Sequence, residues 1–336
     1  MNTKKMEVAN FTCRSSIGDV ELLDVFGEYV YEAMKNQEVP GSGRSEIRSY
    51  KFIDLKFQKI NGEIILYGRL VKNLNLAREQ ILKGETLIES YETMESAPSS
   101  FFVLILSNHK LLWVREKSRA PLLKDFKYVM EKMLERQREE LVKEYILKNQ
   151  QNLLLNNDKE SLNRKAYSEY PELDISVTQI GNKIEIKEKL AKFENIYKIK
   201  LVALKRNNEM GTDFCALSRL MSQTQEGTGA KNVTTNINGD SKHPLNKEYA
   251  TQLIEASADG NYEFKIKGCD SEKNIIEESN ETVSLKTDIN YVEKDDRVNS
   301  ETMLGKFMTL TPKYHTLPRQ KDDLHEKLRN IERKFL

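Results

Sequence analysis

The residues with the clearest chemical use are Asp174, Glu185 and Lys187. Leu173 to Ile180 and Lys183 to Lys187 both alternate apolar and polar residues, and Gly181-Asn182 lies between them. That pattern predicts two strands joined by a tight turn. In such a hairpin Glu185 and Lys187 share one face, away from Ile184 and Ile186. Asp174 and Glu185 could then hold a divalent metal, Mg²⁺ in the first instance, while Lys187 orients or activates an attacking water. A helix over Lys183–Phe193 is the competing prediction, because Ile186, Leu190 and Phe193 also fit helical spacing.

An acid on one strand and Glu-x-Lys on the next resembles the PD-(D/E)xK nuclease family. The resemblance implies a metal-dependent nuclease, with Asp174 and Glu185 as metal ligands and Asp174, Glu185 and Lys187 as the catalytic set. Leu173 stands where that family commonly has Pro. The same Glu-x-Lys spacing recurs at Glu263-Phe-Lys265, as chance produces in a chain rich in both residues. Asp54-Leu-Lys56 puts an acid and a lysine on one strand face but brings no second acid. The charged outer face of a half-buried hairpin would look the same with no chemistry attached.

Three further groups carry candidate chemistry. His109, between Asn108 and Lys110, lies in a polar turn between two apolar runs, where it could act as a general base. No nucleophile is tied to it, and a plain turn joining two buried strands explains it equally. Arg48, Tyr50 and Lys56, with Lys51, Phe52 and Phe57, place cations beside aromatic rings on one strand. Such a surface can stack on single-stranded nucleic acid, although alternating aromatics also build cores. Gly41-Ser-Gly43-Arg44 could form an anion nest, but it precedes a strand, where a phosphate loop would precede a helix. Cys215 reads as a structural thiol, and His243, His315 and His325 have no metal-ligand spacing.

The elements that must position these residues follow from periodicity. Phe101–Leu106 and Leu111–Val114 predict a central hairpin, followed by a long helix near 121–148 with Pro121 in its first turn. Its apolar stripe runs from Leu122 to Tyr145 and is interrupted by the polar block Arg136–Glu140. Asp19–Met34 predicts an amphipathic helix capped by Asp19. Arg48–Gln58 and Glu63–Val71, around Asn61-Gly62, predict a second hairpin. Val8–Cys13 reads as a short edge or entry strand and Ala77–Glu95 as a helix weakened by Gly84. In the second half Ile196–Leu204, Tyr262–Lys267 and Thr282–Tyr291 read as strands. Leu245–Ala258 and Asp322–Phe335 read as helices, and the polar stretch Gln223–His243 as a mobile loop. The fold class expected is α+β, with antiparallel or mixed sheets and packed helices in two lobes, 1–150 and 151–336.

Composition bounds the rest. Lys and Arg number 53 against 52 Asp and Glu, which excludes a globally basic chain while leaving room for a local basic face. The cysteines Cys13, Cys215 and Cys269 are odd in number and far apart, so a disulfide framework is not expected and a reducing cytoplasm is. No signal peptide and no membrane span are read. Abundant Lys, Asn, Ile and Glu suit a low-GC bacterium or its phage, hence a bacterial defence or mobile-element context. The expectation is a cytoplasmic binding or sensor subunit of a larger assembly, with a protein partner and no cofactor. The alternatives are a Mg²⁺-dependent nuclease or a non-catalytic nucleic-acid binder. Oligomeric state is left open.

Overall fold

The computed structural model describes residues 2–15, 20–41, 47–83, 85–156, 159–204, 216–310 and 322–336. It is an α+β fold with two antiparallel sheets. The strands of the first half are β1 (Asn2–Ser15), β2 (Glu38–Pro40), β3 (Ile47–Ile60), β4 (Glu63–Lys83), β5 (Thr86–Ser96), β6 (Ser99–Ile105) and β7 (Lys110–Arg115). Those of the second half are β8 (Leu173–Gln179), β9 (Asn195–Leu204), β10 (Asn232–Asn238), β11 (Tyr262–Cys269), β12 (Ile275–Ser279) and β13 (Lys286–Tyr291). The nine-stranded sheet runs β13-β1-β7-β6-β4-β3-β2, with β8 also on β1 and β5 also on β4. The four-stranded sheet runs β10-β9-β11-β12.

The β6–β7 hairpin lies inside the large sheet, and every residue from Ser100 to Val114 is buried. Strands buried on both faces need near-continuous apolar runs, which is what Phe101–Leu106 supplies. Phe102, Leu104 and Trp113 enter one core, and Phe101, Val103 and Val114 enter another. On the first face lie α1 (Leu22–Val25), the π-turn Phe26–Val30, α2 (Tyr31–Asn36) and α3 (Leu123–Asn156). The terminal helix α9 (Asp322–Phe335) packs on the same face. On the other lies α8 (Asp296–Leu310), through Met303, Leu304 and Phe307. Phe126 of α3 sits at an aromatic junction with Phe11, Phe52, Phe102 and Trp113.

Val8–Cys13 is not an edge. The strand containing it, β1, pairs with β7 on one side and with β13 and then β8 on the other. Val8 is the handover point, donating to Leu285 O and accepting from Ile180 N. Ala77–Glu95 is not a helix either: Leu74 to Lys83 pair with Thr86 to Ser96 as a two-stranded ribbon. Gly84 lies outside the described residues, as does Asp19, and the described N-cap of α1 is Glu21. Asn61 and Gly62 both have positive φ, 51° and 87°, the backbone that a two-residue primed turn requires. The polar block of α3 is accounted for by specific partners. Gln137 bonds Gln37 at 3.1 Å, Arg136 donates to Glu38 O, and Arg138 donates to Tyr170 O. Pro121 stands just before the helix, whose first turn is closed by Asp125 accepting from Leu122 N at 2.8 Å.

The second sheet is covered on one face by α5 (Lys183–Ala191), α6 (Ala216–Thr228) and α7 (Lys247–Ser257). The stretch Gln223–His243 is therefore not one loop, because it contains the end of α6 and all of β10. Between α3 and β8 lies α4 (Lys159–Glu169). β8 and β13, both from the second half, belong to the large sheet.

Candidate polyanion-binding face

The predicted hairpin around Gly181-Asn182 does not form. Asn182 Oδ1 accepts from Ile184 N and Glu185 N, which caps α5, and Ile186 and Leu190 bury on the second core. Asp174 stays on β8, opposite Arg14 of β1, and is ion-paired with Lys231. Glu185 meets Lys189 at 3.7 Å, one helical turn on, and Lys187 meets Glu255 of α7 at 3.7 Å. The three side chains thus end on three different partners. Among the described residues no group of three or more His, Cys, Asp or Glu is placed to hold a metal.

Arg48 pairs with Glu95 across β3 and β5 at 2.6 Å, and Lys56 is exposed. Tyr50 is buried against Tyr128, so it offers no ring to a base. Burial, and then Asp125, push its phenol well above the ordinary range. Asp54 and Lys56 do not share a face in a regular strand, because a bulge falls between Ile53 and Lys56 and Asp54 takes φ 54°. His109 is buried in the β6–β7 turn with φ 55°, and its carbonyl accepts from Phe11 N at 2.9 Å. Lys110 beside it is buried and donates to Asn10 Oδ1 at 2.9 Å. Ser42, Gly43 and Arg44, like Cys215 and His315, lie outside the described residues. His243 contacts Asp240 at 3.5 Å.

A dense charge cluster of the large sheet is centred on Arg69 of β4. Its guanidinium donates to both Glu116 oxygens at 3.1 Å and to Asp296 at 2.8 and 2.5 Å, and it lies 5.3 Å from the Phe101 ring centroid. Glu116 also accepts from Tyr291 and Ser99, at 2.5 Å each. Burial, then the Glu116 bond, push the Tyr291 phenol far up. Every member is engaged by another, so the cluster ties β4, β6, β13 and α8 together and offers no open carboxylate to a ligand.

The opposite situation holds on the uncovered face of the second sheet. Strict alternation in β9 and β11 sends Ile199, Leu201, Phe264 and Ile266 to the helices, and Lys198, Lys200, Lys265 and Lys267 to solvent. The register places Lys265 directly opposite Lys200 and Lys267 directly opposite Lys198. Directly opposed residues are about 5 Å apart at Cα, and neighbours on one strand face about 7 Å. Four ammonium groups therefore rise from one small patch. Glu277 of β12 answers only the outer pair, at 2.7 Å from Lys265 and 3.3 Å from Lys267. Those two bonds hold its carboxyl below the usual range. Lys198 and Lys200 have no anionic partner among the described residues, and on their far side stand Asn238 and Asn236 of β10. Like charges set directly opposite destabilise a sheet.

Residue-by-residue reading missed this face, although the signal was present. Lys-Ile-Lys occurs twice in alternating segments, at 198–200 and 265–267. Only the pairing of those two segments in antiparallel register turns the repeat into a patch. No protein-family model matches the chain, and neither a curated protein nor a solved structure matches it. No helix among the described residues is long and apolar enough to cross a membrane.

Proposed function

We propose that this chain acts by binding, as a subunit of a larger assembly, and that the open face of its second sheet meets the sugar–phosphate backbone of a nucleic acid. The observation that carries this reading is the two pairs of directly opposed lysines, Lys200 with Lys265 and Lys198 with Lys267, of which only Lys265 and Lys267 are ion-paired among the described residues, both to Glu277; Glu263 is exposed at the end of the same face of β11. Lysine and asparagine side chains on a flat, exposed sheet suit phosphate and sugar contacts, which position a ligand without reading its sequence. The four lysines are exposed, and Thr234, Asn236 and Asn238 extend the polar surface along β10.

The test is equilibrium binding of labelled single-stranded and duplex oligonucleotides across a salt series. Four phosphate contacts predict a slope of log K against log salt of about −2.8 for single strands and about −3.6 for duplex. Lys198→Glu with Lys200→Glu should abolish binding while circular dichroism is unchanged, and Lys143→Glu on α3 should leave it intact. An affinity indifferent to salt, or retained in the double variant, removes the reading.

A further inference from the structure

The outer strand of the same sheet, β10, pairs with β9 over all of Asn232–Asn238 without a register break, and no described strand lies on its other side. An exposed edge of this kind is ordinarily guarded by a charge, a proline or a bulge. β10 has none of these: it reads Asn-Val-Thr-Thr-Asn-Ile-Asn. That sequence is also self-complementary about Thr235, with Asn232 matched to Asn238, Val233 to Ile237 and Thr234 to Asn236.

We propose that β10 pairs antiparallel with β10 of a second copy of this chain about a twofold axis at Thr235, joining the two four-stranded sheets into one. Antiparallel partners directly opposite each other lie on the same face of a sheet. Val233 and Ile237, which pack toward the helices, then meet on the helix-covered side, and Thr234 and Asn236 meet on the open side. A shift of one residue would put Val233 against Asn236 and send the helices of the two copies to opposite faces, leaving apolar residues against polar ones. The contact is isologous and closes as a dimer. Two lysine patches then share one continuous face, with the two β9 strands about 14 Å apart. The edge of β10 and the lysines are separate features, and either can fail without the other.

Cysteine cross-linking of the full-length chain tests the register. Under mild oxidation Thr235→Cys should form a covalent dimer, because the axis brings that position against itself. Asn232→Cys and Asn238→Cys should each stay uncross-linked alone and link when mixed. Sedimentation of the unmodified chain should show a concentration-dependent dimer, and Thr235→Lys, which sets two like charges on the axis, should shift it to monomer with its circular dichroism unchanged. A monomer at every concentration overturns the proposal. So does self-linking through position 232 or 238, which reports another register, and so does a dimer that Thr235→Lys does not weaken.

Discussion

At the scale of single residues, the difference between the two charge clusters is whether the charges are answered. Arg69 is surrounded by Glu116 and Asp296, its side chain is 14 % exposed, and those of its partners are 11 % and 16 %. Breaking a buried ion pair leaves an uncompensated charge and costs about 3–5 kcal/mol. Arg69→Met should therefore lower the free energy of urea unfolding by about that amount, with the oligonucleotide affinity of the folded protein unchanged. The lysine face behaves in the other sense. Glu277 is the carboxylate paired with Lys265 and Lys267, and under the proposed function it competes with the phosphates for them. Glu277→Gln keeps the shape and removes the competing charge, so affinity for a single-stranded oligonucleotide should rise several-fold at low salt. An unchanged or lower affinity would place the ligand elsewhere.

At the scale of elements, the departures from sequence expectation have identifiable causes. Lys183–Lys187 alternates like a strand, yet Asn182 caps its first turn and Ile186 and Leu190, one turn apart, bury together. Capping and a core-facing stripe outweigh period-2 alternation in a segment this short. The nuclease geometry needed the strand, and with α5 in its place Asp174, Glu185 and Lys187 each find a different counter-charge. Ala77–Glu95 is rich in helix formers but continues β4 and returns as β5, an outcome set by pairing with a strand already in place. The polar composition of 232–238 reads as loop when taken alone, and pairing with β9 makes it a strand.

At the scale of the molecule, the two sheets are joined by a polar seam. Asn10 of β1 donates to Gly260 O and Asn261 Oδ1, both at 3.4 Å, and accepts from Lys110. Gly181 N donates to Ala258 O at 2.8 Å, and Asn182 N to Val283 O at 2.8 Å. Gly260 makes this approach feasible: its φ is +90°, and a Cβ there would stand 2.7 Å from that of Asn10. Gly260→Ala meets both backbone strain and a clash, each costing of order 1–3 kcal/mol. Urea unfolding followed by Trp113 fluorescence, which reports the large sheet, and by circular dichroism, which reports both, should show one transition for the native chain. In Gly260→Ala the circular dichroism transition should move to lower urea than the Trp113 transition, as the second sheet loses its support. Coincident and unshifted transitions would mean that the seam carries no coupling.

Periodicity and turn chemistry determined much of this protein without reference to its tertiary structure. The α+β class, the Asn61-Gly62 hairpin, the buried β6–β7 pair, the long helix α3 and the strands β8, β9 and β11 were all legible, because each rests on interactions a few residues apart. Tertiary structure decided what depends on distant partners. It placed β1 in the interior of the sheet, made 74–83 with 86–96 a two-stranded ribbon and 232–238 a strand, and buried Tyr50 against α3. It also set Lys198-Ile-Lys200 against Lys265-Ile-Lys267 in one register. Charge totals of 53 and 52 conceal that patch completely, since a local field depends on which residues the fold brings side by side and not on how many the chain contains.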